Sequence, residues 1–264
     1  MTRRRLDSEL VRRGLASTAA EAEAAVLSGL VSVGGVRATK AGTLVADDAP
    51  VRLAQVRENG YVSRGGVKLA AALDRFDVDP SGRACLDAGA STGGFTDCLL
   101  QRGAAHVVAV DVGYGQLDWR LRTDPRVQVR ERTNVRDLRP EEFEPPPALV
   151  VADLSFVSLR SVLGSLVRVA GVPATLVLLV KPQFEAASAD VGPGGVVSDP
   201  RAWRGSLQGV AEVVRARGFD GIGVMASPLL GPAGNVEFLL ACRRPGPGVA
   251  LDLDLALSEG QGLL

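Results

Sequence analysis

The sequence predicts an α/β protein with a mostly parallel seven-stranded sheet whose last strand is antiparallel, preceded by a small α+β unit. From residue 65 onward, short apolar strand-like runs alternate with helical patterns, which favours a parallel sheet with helices on both faces. The final run follows the sixth across Gly231-Pro232-Ala233-Gly234, a connection too short for a crossover, so it pairs antiparallel. Residues 1–57 instead show two helical patterns followed by short strands.

The N-terminal 57 residues are predicted to form a module of their own. A first helix with an apolar face ends at Gly14, and a capping box of Thr18 and Glu21 starts a second helix that stops at Gly29. Short strands around a Gly-Gly turn complete the module. Basic residues concentrate on the first helix and predict a phosphate-binding face, although a solvated helix face remains the alternative. These candidate RNA-binding residues are Arg3, Arg4, Arg5, Arg12 and Arg13.

The composition limits the classes of function. With 30 basic and 30 acidic residues the chain has no net charge and thus no overall positive potential that would attract nucleic acid. A protein that coats nucleic acid non-specifically is therefore disfavoured. Three scattered cysteines and a single histidine, His106, offer neither a disulfide framework nor the spacing of a metal site. We therefore predict no metal and a reducing cytoplasmic location. The longest apolar runs are strand-sized, far too short to cross a bilayer, and we predict no membrane contact.

A glycine-rich loop follows the first strand of the α/β domain. Asp87 lies at the carboxyl end of that strand, and Gly89-x-x-x-Gly93-Gly94 leads into a helix start with unpaired N–H groups. The next strand ends in Asp111, about 20 residues after the loop, which is the sequence separation at which an acid binds ribose hydroxyls in nucleotide-type sites. This spacing is not a dinucleotide fingerprint, and the two acids better suit S-adenosylmethionine (SAM). A tight turn without a ligand is the alternative.

Four polar residues fall where the predicted sheet would gather them. Asp153 ends the fourth strand and Lys181 the fifth, so both should face the same space at the carboxyl edge. Lys68 lies in the helix before the first strand, and Glu237 lies in the last strand. Such a set suits a ribose 2′-hydroxyl target, with Lys181 activating the hydroxyl and the other three orienting lysine and sugar. Alternatively, Asp153 is only a helix cap and the others are surface charges.

The N-terminal module resembles the S4-type RNA-binding domain. The resemblance rests on Arg5-Leu6-Asp7-x-x-Leu10-Val11-x-x-Gly14-Leu15-Ala16 and on Ser28-Gly29-Leu30-Val31-Ser32-Val33-Gly34-Gly35. It implies two helices that grip structured RNA. Two departures bear on RNA contact: Thr18-Ala19-Ala20 opens the second helix where an arginine is common, and Gly34 replaces a common asparagine.

Nearly the whole chain resembles the TlyA-type ribosomal RNA cytidine 2′-O-methyltransferases, often named hemolysins, which join an S4-type domain to an FtsJ-like, Rossmann-like SAM-dependent methyltransferase domain. The matching segments are Tyr61 to Leu69, Asp87 to Phe95, Asp153 to Leu159, Lys181 to Glu185, Gly192 to Val197 and Gly234 to Phe238. The resemblance implies a catalytic tetrad and a set of SAM contacts. The tetrad is Lys68, Asp153, Lys181 and Glu237; the SAM contacts are Ser63, Asp87, Gly89, Gly93, Gly94 and Asp111, with Asn134 and Asp137 on the adenine side.

The resemblance also implies partners and a division of the chain. The partner is ribosomal RNA in the small or large subunit, or both, and we predict a monomer. We divide the chain into an S4-type domain (1–57), a linker (58–64), a methyltransferase domain (65–245) and a loose C-terminal tail (246–264). The linker carries Asn59-Gly60-Tyr61-Val62 where actinobacterial members carry Arg-Ala-Trp-Val, which puts its tuning of cofactor binding in question. Competing functions are a membrane-lytic protein, an inactive RNA-binding protein and a small-molecule methyltransferase.

Overall fold

The computed structural model describes residues 3–27, 29–53 and 60–264. Three positions used in the sequence analysis lie outside these ranges: Ser28 in the S4-type motif, and Glu58 and Asn59 in the predicted linker. The described part of the linker is attached to the methyltransferase domain. The Val62 amide donates to Asp97 Oδ2 at 2.8 Å, and Gln101 Nε2 donates to the Gly60 carbonyl at 2.9 Å.

The N-terminal unit is a small α+β module, as the sequence predicts. Its elements are β1 (Arg3–Arg5), α1 (Leu6–Arg12), α2 (Ala19–Leu27), β2 (Val31–Val33), β3 (Val36–Arg37), β4 (Leu44–Ala46) and β5 (Val51–Leu53). Strand β2 pairs antiparallel with β3 and β5, while β1 pairs antiparallel with β4. Leu6, Leu10 and Val31 are fully buried at its centre because the apolar face of α1 packs on the sheet.

The first three arginines do not lie on a helix, contrary to the prediction that the basic residues cluster there. Arg3, Arg4 and Arg5 form β1, which pairs with β4 in the register Arg3↔Ala46. The helix begins only at Leu6, because that residue is the first whose side chain enters the core. Helical periodicity from Leu6 onward therefore does not extend backward into the basic run.

The larger domain is an α/β sheet with helices on both faces. Its elements are α3 (Arg64–Arg75), β6 (Ala84–Ala88), α4 (Gly94–Gln101), β7 (His106–Val110), α5 (Trp119–Arg122), β8 (Val127–Arg130), β9 (Leu149–Ala152), α6 (Leu159–Val169), β10 (Ala174–Val180), α7 (Pro182–Glu185), α8 (Pro200–Arg215), β11 (Asp220–Ala226), β12 (Phe238–Arg244) and α9 (Leu253–Gln261). The strand order is β11-β12-β10-β9-β6-β7-β8. Strand β12 runs antiparallel to both its neighbours, which confirms the predicted seven-stranded sheet with an antiparallel last strand.

Two apolar cores cover the two faces of this sheet. Successive side chains of a strand point to opposite faces, so Leu86 and Val150 enter one core while Cys85 and Val151 enter the other. Helices α6, α8 and α9 cover the first face, and α3 and α4 cover the second. The central strands are buried on both sides, which explains their uninterrupted apolar sequences.

The C-terminal segment is not the loose tail that its Gly/Pro-rich start suggested. Residues Leu253–Gln261 form helix α9, whose N-terminus is capped by Asp252 Oδ1 accepting from the Leu255 amide at 2.9 Å. Ala256 and Leu257 are buried in the core under α8 and β11. With the buried Gly260 they lie on one face of the helix, at positions i, i+1 and i+4, so packing against the sheet orders a segment whose composition suggests a loose tail.

The carboxyl ends of β6, β7, β9 and β10 meet at one edge of the sheet, where the loops that follow the strands and parts of α3 and α4 line a cleft. Open α/β sheets bind their ligands at this edge. Within the described ranges, no helix is both long and apolar enough to cross a membrane.

Candidate active site

Two adjoining cavities occupy the cleft at the carboxyl edge of the sheet. One, of about 320 Å³, reaches Lys68, Lys181 and Glu237. The other, of about 420 Å³, reaches Asp111 and Asn134. Four residues line both cavities and thus mark the boundary between them: Gly89, Ser91, Asp153 and Ser155. The cleft therefore has one end lined by charged side chains and another end beside the carboxyl end of β7.

Asp153 and Lys181 meet at the charged end, as the strand order requires. Asp153 follows β9 and Lys181 follows β10, and these strands are parallel neighbours. Asp153 Oδ1 lies 2.6 Å from Lys181 Nζ. The side chain of Lys181 is only 10% exposed, so the ion pair is shielded from water on most sides while Asp153 still faces the cavity. The contact is ionic, because Asp153 Oδ1 accepts no directed hydrogen bond from the described residues. The hydrogen bond that Lys181 Nζ donates goes to Ser155 Oγ at 2.9 Å.

Lys68 and Glu237 form a second ion pair beside the first. Lys68 Nζ donates to Glu237 Oε2, and their side chains are 8% and 1% exposed. The backbone of Gly231 closes against the same carboxylate, since a Cβ at that position would lie 2.6 Å from Glu237 Oε1. Both lysines and both carboxylates thus line one cavity, in two pairs. A buried charge is retained only when it is paired or hydrogen-bonded, so neither pair is surface decoration.

Ser155 is the residue of this cluster that the sequence analysis did not assign. Its hydroxyl accepts the hydrogen bond from Lys181, and it lines both cavities. The only signal in the sequence is its place two residues after Asp153. Gln183 is a weaker addition, with its Nε2 3.5 Å from Glu237 Oε1.

Asp87 is fully buried at the end of β6. Its Oδ2 accepts from Thr96 Oγ1 at 2.7 Å, while its Oδ1 has no hydrogen-bond partner among the described residues. Burial raises the pKa of Asp87 to about 7; nearby Asp153 and Asp111 add to the rise, and the Thr96 hydrogen bond opposes it. The carboxyl is therefore poised between its two protonation states near neutral pH.

The backbone of the glycine-rich loop lies close to two other segments of the chain, the start of the loop after β9 and the residue before α3. Gly89 has φ +87°, and a Cβ there would lie 2.4 Å from the carbonyl oxygen of Asp153. Gly94 opens α4, and a Cβ there would lie 2.2 Å from Ser63 Oγ. Gly93 is the N-cap of α4. These close approaches explain why glycines occupy the loop, and they place Ser63 at the start of the same helix.

Asp111 and Asn134 lie at the other end of the cleft. Asp111 accepts the Ser91 amide on Oδ2 at 2.8 Å and the Gly113 amide on Oδ1 at 2.7 Å, which fixes its carboxylate over the cavity. Asn134 lines the cavity, and its Oδ1 also accepts from the Arg136 amide at 3.0 Å. Asp137 is exposed and lines neither cavity, so the structure does not bring it to the site.

The residues present fit SAM. An orphaned carboxylate oxygen on Asp87, a loop in which a Cβ at Gly89 would strike the Asp153 carbonyl, and a fixed acid at Asp111 match a ligand with an amino-acid end and a ribose. Each Asp111 oxygen keeps a lone pair for a ribose hydroxyl. Within the residues that the structure describes, no three His, Cys, Asp or Glu side chains group as metal ligands.

Four of the five candidate RNA-binding arginines are paired with acids of the same module. Arg4 pairs with Asp47, and Arg5 pairs with Asp7. Arg12 and Arg13 both pair with Glu9, and the pKa of Glu9 is lowered to about 2 by hydrogen bonds from Arg12 and then Arg13. Arg5 and Arg12 keep side-chain exposures of 61% and 49%, so both guanidinium groups remain accessible from solvent.

Two protein-family models match separate parts of the chain. Residues 61–244 match the model of the FtsJ-like methyltransferases, and residues 4–50 match the model of the S4 domain.

Comparisons with individual proteins extend over both parts of the chain. A Mycobacterium tuberculosis protein named 16S/23S rRNA (cytidine-2′-O)-methyltransferase TlyA is 53% identical over 241 residues, which cover 91% of this chain and 90% of that protein. A Campylobacter jejuni protein named 23S rRNA (cytidine-2′-O)-methyltransferase TlyA is 34% identical over 67% of this chain and 69% of its own. A solved structure from Streptococcus thermophilus that carries a hemolysin name is 35% identical, with a TM-score of 0.74, and covers 100% of this chain and 97% of that one.

Proposed function

Because the chain belongs to the FtsJ-like methyltransferase family, we propose that it transfers a methyl group from SAM to the 2′-hydroxyl of a cytidine in ribosomal RNA. The observation that carries the proposal is the pair of buried lysine–carboxylate contacts, Lys181 with Asp153 and Lys68 with Glu237, lining one cavity. A 2′-hydroxyl is a weak nucleophile, and a lysine held by acids in a shielded cavity is suited to activate it.

The proposed roles follow from the positions of the side chains. Lys181 Nζ first releases its own proton to solvent; the neutral amine then takes the proton of the 2′-hydroxyl, and Asp153 stabilises the positive charge that Lys181 regains. Lys68 and Glu237 orient the ribose at the far wall of the same cavity. SAM, when bound, supplies a methyl carbon whose bond to sulfur breaks, with the electron pair staying on sulfur as a thioether.

The cofactor-binding residues form a separate part of the proposal. We assign Gly89, Gly93, Gly94 and Ser63 to the wall around the cofactor, because the loop and the start of α4 close against each other there. Asp87 stands behind this loop, where its unpartnered Oδ1 supports a role in holding the cofactor's amino-acid end through a bridging group. Asp111 is assigned to the ribose hydroxyls and Asn134 to the adenine side.

The S4 domain supports RNA as the substrate. It brings the exposed Arg5 and Arg12 into the same chain as the catalytic cleft, and cationic side chains of this kind bind phosphates. We propose that both ribosomal subunits are methylated, by analogy with the M. tuberculosis relative, whose name gives both 16S and 23S RNA. We further propose that the chain works as a monomer in the cytoplasm, where ribosomal subunits are available.

The test is transfer of labelled methyl from SAM to isolated small and large ribosomal subunits. We expect label at a cytidine whose 3′ linkage becomes resistant to alkali, because a methylated 2′-oxygen no longer attacks that linkage. Lys181→Ala should abolish transfer. Arg215→Ala, which removes one exposed basic side chain from α8 outside the cleft, is the matched control and should keep it. No label in either subunit from an enzyme that binds SAM would overturn the assignment of ribosomal RNA.

A further inference from the structure

We propose that Ser155 positions Lys181 for the proton transfer, an inference that depends on the proposed function. Ser155 Oγ accepts a hydrogen bond from Lys181 Nζ at 2.9 Å, and Asp153 Oδ1 lies 2.6 Å from the same nitrogen. These are the polar side-chain contacts that the structure records for the Lys181 nitrogen. Ser155 also lines both cavities, so its hydroxyl lies at the boundary between the cofactor end and the charged end of the cleft.

The loop that carries Ser155 is held at both ends. The Asp153 amide donates to the Ala88 carbonyl at 3.0 Å, and the Leu159 amide donates to Glu185 Oε1 at 2.5 Å. Between these anchors, Phe156 has φ +62°, a left-handed conformation that a residue with a side chain adopts at a cost of about 1 kcal/mol or more. Strained backbone of this kind persists where surrounding contacts fix it, and here it sets the direction of the residue just before it.

The geometry of an amine gives Ser155 its role. A neutral lysine nitrogen has two hydrogens, one lone pair and one bond to carbon. One hydrogen is directed to Ser155 Oγ, and the Asp153 carboxylate, 2.6 Å away but without a directed hydrogen bond, attracts the other by charge alone. The hydrogen bond to Ser155 is therefore the directional contact that orients the lone pair. Without Ser155 the amine rotates about its Cε–Nζ bond, and the lone pair points toward the hydroxyl only part of the time. Misalignment of a reacting group typically lowers the rate on the order of 100-fold.

The experiment compares three variants of the full chain, all of which leave the tetrad intact. Ser155→Ala removes the hydroxyl, Ser155→Cys keeps a similar shape with a weak acceptor, and Ser155→Thr restores the hydroxyl. We expect Ser155→Ala and Ser155→Cys to lower kcat by about 10- to 100-fold, with the KM for ribosomal subunits unchanged. Ser155→Thr should recover most of the rate. Calorimetry should give all three variants the SAM affinity of the wild type, a readout independent of turnover.

Two results would overturn the role of Ser155. One is a wild-type kcat in both Ser155→Ala and Ser155→Cys. The other is a loss of rate that follows weaker SAM binding, or that Ser155→Thr does not repair, since either would indicate a merely structural role. Failure of the proposed function looks different, because there the wild-type enzyme itself would not label either subunit.

Discussion

Lys68 and Glu237 are 169 residues apart in the chain, yet their side chains form a buried ion pair at the wall of the cleft at the carboxyl edge of the sheet. Lys68 comes from α3, which precedes the sheet, and Glu237 comes just before β12, which completes it. The pair therefore joins the first and last parts of the methyltransferase domain. A contact of this kind serves the fold as well as the chemistry.

Breaking this pair from one side should destabilise the domain. Lys68→Met leaves Glu237 buried without its counter-charge, and removing one partner of a buried pair typically costs about 3–5 kcal/mol. We expect that loss in the free energy of unfolding measured in urea. Lys68→Met combined with Glu237→Leu should recover much of it, because no lone charge remains. A double variant that loses the full sum of the two single losses would contradict this account. Methyl transfer should be absent in Lys68→Met, in Glu237→Leu alone and in the double variant.

The buried carboxyl of Asp87 should make stability depend on pH. Its pKa is raised to about 7 by burial, whereas an aspartate in an unfolded chain titrates near ~3.9. Between about pH 4 and pH 7 the folded protein holds a proton that the unfolded chain has lost, so stability falls as pH rises through this window. Asp87→Asn is neutral throughout and lacks this fall. Relative to wild type, the variant should gain about 2 to 3 kcal/mol of unfolding free energy between pH 5 and pH 8.

Substitution of Thr96 tests whether the pH dependence of stability comes from Asp87. Its hydroxyl donates to Asp87 Oδ2 and holds the pKa of that carboxyl down, against the larger effect of burial. Thr96→Val should therefore move the pH window of the stability change upward. A constant stability difference between wild type and Asp87→Asn from pH 5 to pH 8 would mean that the carboxyl is ionised throughout.

The strand ends of the site could be predicted from the sequence because they depend on local pattern and a simple rule of topology. Apolar runs end in Asp87, Asp111, Asp153 and Lys181, and the parallel sheet brings those ends to one edge. The pairing among the polar side chains was not predictable in the same way. Ser155 contacts Lys181 because the loop after Asp153 turns through the left-handed conformation of Phe156, which a non-glycine residue rarely adopts.

At both ends of the chain, local composition predicts a structure that differs from the observed one. The basic run Arg3–Arg5 was assigned to a helix, but it forms β1 by pairing with β4, a partner about 40 residues away that no local pattern reveals. The Gly/Pro-rich start of the C-terminal segment suggested disorder, but Ala256 and Leu257 of α9 are buried by packing on the sheet. In both places a tertiary contact outweighs local preference.

Gly89 should not tolerate a side chain, because a Cβ there would clash with the Asp153 backbone. Gly218, which has a similar φ but no such neighbour, separates this clash from backbone strain. Gly89 and Gly218 have left-handed φ values of +87° and +80°, so alanine at either position costs about 1 kcal/mol or more. Only at Gly89 would the new Cβ meet an atom that cannot move freely, the Asp153 carbonyl oxygen at 2.4 Å; at Gly218 nothing lies within 4 Å. Gly89→Ala should therefore displace Asp153 and abolish methyl transfer.

The control for this prediction is Gly218→Ala, which should lose stability but keep the wild-type rate. Urea unfolding and SAM calorimetry on both variants separate a folding defect from a displaced catalytic group. Full activity in Gly89→Ala would show that the loop after β9 accommodates the methyl group without moving Asp153.

The two arginines at the C-terminal end of α1 should have different roles. We expect Arg12 to bind RNA and Arg13 to stabilise the N-terminal module. Among the described residues, Arg12 is 49% exposed and its side chain hydrogen-bonds only to Glu9. Arg13 is 22% exposed and also donates to the carbonyls of Ala49 and Asp47 at 2.8 and 2.9 Å. We expect Arg12→Ala to weaken binding to ribosomal subunits and to reduce the slope of log affinity against log salt by about 1, because one phosphate contact is lost. Arg5→Ala, at 61% exposure, should behave in the same way.

Arg13→Ala should instead lower the unfolding free energy of the N-terminal module, because it removes the link between α1 and the turn between β4 and β5. Its hydrogen bonds to backbone carbonyls orient the guanidinium inward, away from an RNA phosphate. At temperatures where the variant is folded, its salt slope should therefore equal that of the wild type. Filter-binding titrations between 50 and 200 mM salt, the range over which phosphate contacts are strongly screened, provide the measurement. An equal loss of slope in Arg12→Ala and Arg13→Ala would place both arginines on the phosphate backbone and contradict the division.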